Sequence, residues 1–144
     1  MKAKLLNDDR ERVFALVYQT GDEVIAGLKV FAKEHKPRSA HFTAIGAFSD
    51  AVLAYFDWES KQYKDIPVKE QVEVLTLAGD VAWKDDGEPV VHAHVVVGRS
   101  DGSTRGGHLK SAHVRPTLEL ILEEYPKHLE RAHDPVTGLA LIRV

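Results

Sequence analysis

The sequence predicts a strongly β-weighted α/β domain of the α+β type, with one main helix packed on a mainly antiparallel sheet. Three observations carry this reading. A single main stretch, residues 22–36, repeats its apolar side chains with helical spacing. Most of the remainder falls into short apolar or alternating runs bounded by Gly, Asp, Ser and Pro. The spacers between those runs are turn-sized, too short for the crossover helices that parallel pairing requires.

The first run, Arg12 to Tyr18 (RVFALVY), reads as a buried strand that stops at Thr20-Gly21. Asp22 is the predicted N-cap of a helix reaching about Lys36. Val24, Ile25, Leu28, Phe31 and Ala32 form its apolar stripe, Lys29, Lys33 and Lys36 lie on the other side, and Pro37 ends it. Short strands follow over Ala40–Ile45, Ala51–Asp57 and Gln62–Val68, with turn chemistry at Gly46, Ser49-Asp50 and Glu59-Ser60. Next come Gln71–Leu77, a turn at Gly79-Asp80, the Asp85-Asp86-Gly87 turn, Val90–Val97 and the Ser100-Asp101-Gly102 turn. Between Arg115 and Tyr125, Leu118, Leu120 and Leu122 alternate with Glu119, Ile121 and Glu123. The alternation favours a strand, whereas Leu and Glu favour a helix by intrinsic propensity. Gly138 to Val144 closes the chain as a strand after the Asp134-Pro135 turn.

At 144 residues the chain is the size of one domain, residues 1–144, with room for a core that needs no covalent staples. It has no cysteine, so thiolate zinc sites are excluded and imidazole and carboxylate remain as metal ligands. The N-terminal residues turn charged before a signal-peptide core could form, and no apolar run approaches membrane-spanning length. A soluble, cytoplasmic protein with no membrane partner is the expectation. The formal charge of −3, with acidic and basic residues mixed along the chain, argues against a dedicated nucleic-acid binder.

The most informative chemistry lies in Pro89-Val-Val-His-Ala-His-Val-Val-Val97 and Arg105-Gly-Gly-His-Leu109. Imidazoles two residues apart on a strand point to one face and start about 6.6 Å apart. Val90 and Val96 share that face with His92 and His94, so the histidines are expected to be buried. A buried polar group left unpaired costs about 1–3 kcal/mol, and a metal ion satisfies both rings at once. Gly106 and Gly107 permit positive φ or close backbone approach, which lets His108 swing towards the pair. Three histidines suit zinc, iron, nickel or copper and leave a coordination position for water or a ligand. The competing reading is a set of hydrogen-bonded structural histidines.

Other His-x-His families fail on the letters. A cupin needs a glutamate four or five residues on, where this chain has Gly98 and Arg99. The metallo-β-lactamase pattern fails at Val95-Val96-Val97. Glu73 shares an inferred face with Leu75 and Leu77, an odd place for a carboxylate, and is the candidate fourth ligand, ligand-orienting group or catalytic base. Its bland alternatives are an ion pair with Arg105 or Lys110, or exposure at a strand end. His35 fits a helix C-terminus, His41 a strand start or interface, His113 an ordinary polar position near His108, and His128 and His133 the surface. Trp58 and Trp83 are expected to cap hydrophobic clusters. Nucleophile-elbow, P-loop and dinucleotide motifs are absent, and nothing activates Ser103 or Ser111.

Several stretches together resemble the PPC (plants and prokaryotes conserved) domain. They are Gly46-Ala-Phe-Ser-Asp-Ala51, Glu73-Val-Leu-Thr-Leu-Ala-Gly-Asp80, His92-Ala-His-Val95, Gly106-Gly-His-Leu109, Thr117-Leu-Glu119 and Asp134-Pro-Val-Thr-Gly-Leu139. Taken in this order, they give a resemblance that covers roughly Arg12 to Val144, nearly the whole chain. The resemblance implies a compact, mostly antiparallel fold, a homotrimer, and for some stand-alone prokaryotic members a bound metal. It also implies an association with DNA, but the Arg-Gly-Arg-Pro AT-hook is missing here. The chain departs from the family at Ser111-Ala112-His113, near a frequent glycine. The expected function is therefore a metal-binding homotrimer with His92, His94 and His108 as ligands to a divalent cation, zinc foremost, and a small-molecule ligand. A water-activating hydrolase or lyase and a DNA-associated regulator are the alternatives.

Overall fold

The computed structural model describes residues 1–7 and 11–143, with the side chains of Leu6 and Asn7 left aside. Asp8, Asp9 and Arg10 of the charged N-terminal stretch, and Val144 of the closing run, lie outside the described residues. In chain order the elements are β1 (Lys2–Asn7), β2 (Val13–Gln19), α1 (Val24–His35), β3 (Ala40–Asp57), β4 (Gln62–Val68), β5 (Val72–Trp83), β6 (Pro89–Gly98), β7 (Thr104–Glu124), β8 (Glu130–His133) and β9 (Ala140–Arg143). They form one nine-stranded sheet running β1-β2-β7-β3-β5-β8-β9. β4 pairs on β3, and β6 bridges β5 and β7, so pairing runs in a closed circuit β3-β5-β6-β7-β3. These pairings are antiparallel except a single parallel bridge between Trp83 of β5 and Glu130 of β8. The α+β architecture read from the sequence is the one observed.

Helix α1 lies against β6 and β7 and buries Val24, Leu28, Phe31 and Ala32. They join Phe14, Leu16, Tyr18, Phe42, Phe48, Leu53, Val81, Val95, Leu118, Leu120 and Leu122 of the sheet in one buried core. The N-cap is Glu23, not Asp22: its carboxylate accepts from the amides of Ile25 and Ala26. The longer side chain also reaches the Ala112 amide at 3.1 Å, tying the helix start to β7. Asp22 is used one step earlier, accepting from the Gln19 amide at 2.8 Å and pairing with the terminal ammonium. At the other end Lys36 takes a left-handed φ of 46° and its amide closes on the Ala32 carbonyl, and Pro37 follows.

Two expected strands merge into the 18-residue β3. Gly46 and Ser49-Asp50 fall at register shifts within it rather than in turns, and such bulges bend a strand without ending it. The bends let β3 pair with β5 through its first half, β4 through its second, and β7 through most of its length. The Gly79-Asp80 turn is likewise absent, because β5 runs on to Trp83. Arg115–Tyr125 is strand in the structure, part of the 21-residue β7, whose Leu118, Leu120 and Leu122 fill the core. Pairing with β2 on one side and β3 on the other overrides the helical propensity of Leu and Glu.

Gly79 is required by close approach. A Cβ there would lie 2.5 Å from the Phe42 ring edge and collide with the His92 carbonyl. Gly79→Ala is expected to cost at least about 1–3 kcal/mol of unfolding free energy, the range for overpacking, and to disturb the β6 strand beside it. Gly98→Ala, which meets only the flexible Leu75 side chain at 3.3 Å, is the milder control. Denaturant midpoints check this, and equal midpoints for the two variants would contradict it.

Candidate metal centre

The strand pairing brings the three histidines together. β6 carries His92 and His94, and β7 sets His108 directly opposite His94. Ring centroids stand 5.1 Å apart for His92–His94, 5.2 Å for His92–His108 and 5.6 Å for His94–His108. One nitrogen from each ring lies within 4.8 Å of the other two. Gly106 and Gly107 sit in paired strand and not in a swinging loop, so register aims His108. Of the two uses expected for these glycines, Gly107 serves close approach: a Cβ there would stand 2.7 Å from the Ala54 carbonyl on β3. The Tyr63 ring of β4 leans on His108 at 4.9 Å and is itself met by Phe56 at 5.3 Å.

The histidines are not buried as expected. Ala93, Val95 and Val97 take the core face of β6, leaving His92 half-buried and His94 exposed on the outer face. His108 is half-buried, yet its Nδ1 is fully shielded and has no hydrogen-bond partner among the described residues. Burial, then the neighbouring His92, His94 and Lys110, push the His108 imidazole down to about 4. Burial and His92 push His94 down as well. Both effects favour the neutral imidazole of His94 and His108, the form that a metal ion requires. A shielded orphan nitrogen beside two converging imidazoles fits a bound cation.

Two residues around the cluster escaped the sequence reading. Asp80 of β5 lies opposite His92, with its Oδ2 3.7 Å from His92 Nδ1. Burial pushes this carboxyl up, but His92 and Arg131 outweigh it and hold it below its usual range. Arg131 of β8 is buried, and its Nη2 donates to both Asp80 oxygens at 2.8 Å. The place of Asp80 after Gly79 suggests a turn residue instead. The signal was available, since residues 80 and 92 are equidistant from Asp86 in the intervening turn.

Glu73 does not join the cluster. It is exposed and pairs with Gly98, five residues back along β5 from the Ala78 that faces His94. Its inferred face was wrong because a bulge between Val74 and Thr76 breaks the alternation, sending Leu77 inward and Leu75 outward. Of its proposed ion-pair partners, Lys110 binds Asp65 at 2.7 Å and Arg105 donates to the Pro67 carbonyl. His113 pairs with Asp50 at 2.9 Å, outside the cluster. His35 ends α1 stacked on Phe31, His41 stacks on Tyr125, and His128 and His133 are exposed. Trp83 is half-buried and donates through Nε1 to the Pro37 carbonyl. Trp58 is exposed, with the Lys61 ammonium over its ring, and caps no buried cluster.

The fold and the centre define a small antiparallel-sheet domain with three imidazoles gathered on the sheet's outer face. The sequence pattern of the Plants and Prokaryotes Conserved (PCC, also PPC) domain matches residues 7–126, and the chain belongs to that family. A metal-containing protein from Archaeoglobus fulgidus is 37% identical, with a TM-score of 0.83 over 92% of this chain and 93% of that one. A plant- and prokaryote-conserved protein from Pyrococcus horikoshii is 33% identical, with a TM-score of 0.86 over 99% and 95%. A protein from Ralstonia eutropha, provisionally described as DNA-binding, is 30% identical, with a TM-score of 0.84 over 91% and 90%. The chain is also 33% identical over 131 residues to the bifunctional protein GlmU of a Synechococcus strain, covering 88% of this chain but only 20% of that protein.

The His108 shift has a pH consequence. Unfolded, the ring titrates near the ordinary histidine value of about 6.5; folded, it titrates at about 4. Between those values the unfolded chain binds more protons, so metal-free protein loses stability as pH falls from about 6.5 to about 4. His108→Gln is expected to flatten that loss. Denaturation midpoints of chelator-treated protein across this window check it; parallel curves for the two proteins would contradict it.

Proposed function

We propose that this protein is a metal-binding PCC-domain homotrimer, in which His92, His94 and His108 of each chain hold one divalent cation. The carrying observation is the convergence of three imidazole nitrogens within 4.8 Å, with the shielded His108 Nδ1 otherwise unpartnered. Three neutral nitrogen donors and no thiolate suit zinc, and three protein ligands leave a position for water or a small molecule. His94 is exposed to solvent, and the Tyr63 ring stands 4.9 Å from His108. The metal-containing relative from Archaeoglobus fulgidus supports this reading. A cation held this way also polarises a bound carbonyl or acidifies bound water, the chemistry that the hydrolase or lyase alternative needs. Regulation of DNA, carried over from the Ralstonia relative, stands behind both because the chain is acidic overall and lacks an AT-hook.

An apolar outer surface supports the trimer. Val17, Ile45, Leu75 and Ile121 point away from the core, with Ile45 63% and Leu75 53% exposed. Ile45 and Val17 each lie opposite Glu119 in the ladders that flank β7, and Thr43 lies opposite Ile121, which places these side chains on adjoining strands. Apolar groups gathered on one sheet face fit an interface between copies of the chain.

Metal analysis of purified, zinc-loaded protein is expected to give close to one ion per chain, falling to background in His92→Ala, His94→Ala and His108→Ala. Zinc-free wild type, or full loading in all three variants, would overturn the centre. Light scattering on the eluting protein is expected to give three times the chain mass, reduced in Ile45→Glu. A monomeric wild type would overturn the assembly alone.

A further inference from the structure

Asp80 and Arg131 form a buried ionic link between the histidine cluster and the C-terminal hairpin. β8 and β9, residues 130–143, lie beyond the residues matched by the family pattern. The hairpin meets the rest of the sheet through one parallel bridge, Trp83 to Glu130, beside which the Trp83 backbone N–H donates a hydrogen bond to the Leu129 carbonyl. Its main side-chain tie is Arg131, only 6% exposed. The guanidinium gives Nη1 to the Ala140 carbonyl at 2.8 Å and Nη2 to both oxygens of Asp80. Nε is buried with no partner among the described residues. The usual side-by-side fork on a carboxylate would have used that Nε–H. Instead Nη2 alone serves the carboxylate, and it reaches to 3.4 Å from His92 Nδ1.

His92 Nδ1 thus faces a donor and an acceptor at once. With Nδ1 bare it accepts from Arg131 Nη2, the proton sits on Nε2, and Nε2 has no lone pair to give. With Nδ1 protonated it is repelled by Arg131 and attracted by Asp80 Oδ2, at 3.7 Å a charge contact longer than a hydrogen bond, and Nε2 keeps the lone pair that a cation would need. We propose that Asp80, clamped by Arg131 of the C-terminal hairpin, is a positioning residue that holds His92 in the Nδ1-protonated form and so sets how tightly the three-histidine centre binds its cation. The inference rests on the metal reading above. Groups that support a ligand imidazole in this way are worth roughly 10–100-fold in metal affinity. A clamp from outside the matched region makes the hairpin part of the centre and not an appendage.

The test uses full-length protein and two probes. Cobalt(II) absorption reports the ligand set, and competition against a chelator gives the zinc affinity. The wild type is expected to bind one cobalt ion per chain with a defined ligand-field spectrum, and His92→Ala to lose it. Asp80→Ala and Arg131→Met are expected to bind zinc about 10–100-fold more weakly. Asp80→Asn, which keeps the shape and an acceptor, and Arg131→Lys, which keeps the charge, should fall between. Long-range proton–nitrogen spectra of zinc-loaded protein should show His92 protonated at Nδ1. Zinc affinity unchanged in both Asp80 variants, with only the melting temperature lowered, would overturn the proposal, as would a His92 ring protonated at Nε2. If Arg131→Met fails to fold, the nearly isosteric Asp80→Asn carries the test. Wild type that takes up no cobalt would overturn the metal reading itself, a result distinct from either of these.

Discussion

The pairing of β6 with β7 puts His94 opposite His108, and the candidate centre depends on that register. A slip of one residue would turn His108 to the core face and bring Leu109 outward. Three features hold the register in place. The turn around Asp101-Gly102 fixes its origin, with Arg99 and Ser103 joined across it and the Asp101 carboxylate capping the Ser103 amide. Ala93, Val95, Val97 and Leu109 lock the opposite face into the core. Gly107 lets β3 come close enough to hold β7 from the other side. The centre is therefore built on paired strands, which position side chains more rigidly than a loop would.

Around this frame the polar groups act in layers. Burial, and after it the neighbouring imidazoles, disfavour protonation of His94 and His108, which leaves their lone pairs available near neutral pH. Behind His92 the Asp80 carboxylate supplies a fixed negative charge, compensated by the Arg131 guanidinium, which also satisfies the Ala140 carbonyl. On another side, the Tyr63 ring of the β3–β4 hairpin packs on His108 and is backed by Phe56. The cluster thus has an exposed side at His94, aromatic rings beside His108 and an ionic pair behind His92.

Much of this was legible in the letters. Apolar periodicity found α1 and Gln62–Val68 matches β4 to the residue. The histidines followed from the His-x-His spacing and the Gly-Gly-His that comes after it. What failed was continuity. Gly46, Ser49-Asp50 and Gly79-Asp80 carry turn chemistry, but β3 absorbs the first two as bulges and β5 passes straight through the third. A bulge is decided by what packs across the strand, and no window of the strand's own sequence displays that. The same cause misplaced Glu73, whose alternation with Leu77 is broken at Thr76. The opposite error was to stop at the turns. Reflecting the chain about Asp86 pairs residue 80 with 92, and reflecting it about Asp101 pairs 94 with 108. Both the carboxylate behind His92 and the partner of His94 were thus encoded in turns already recognised. Arg131 had no such signal, because β8 meets β5 by a single parallel bridge far along the chain.

The Asp22 and Glu23 reversal shows the same lesson on a smaller scale. Asp is the better N-cap by local preference, but Glu23 is long enough to serve the helix amides and the Ala112 amide together. Tertiary demand decided between neighbours. X-ray absorption at the zinc edge on the loaded wild-type protein tests the three-histidine centre most directly. The centre predicts a first shell containing three imidazole nitrogens at about 2.0–2.1 Å, with the outer-ring scattering typical of histidine. A first shell of oxygens alone, without imidazole scattering, would contradict it.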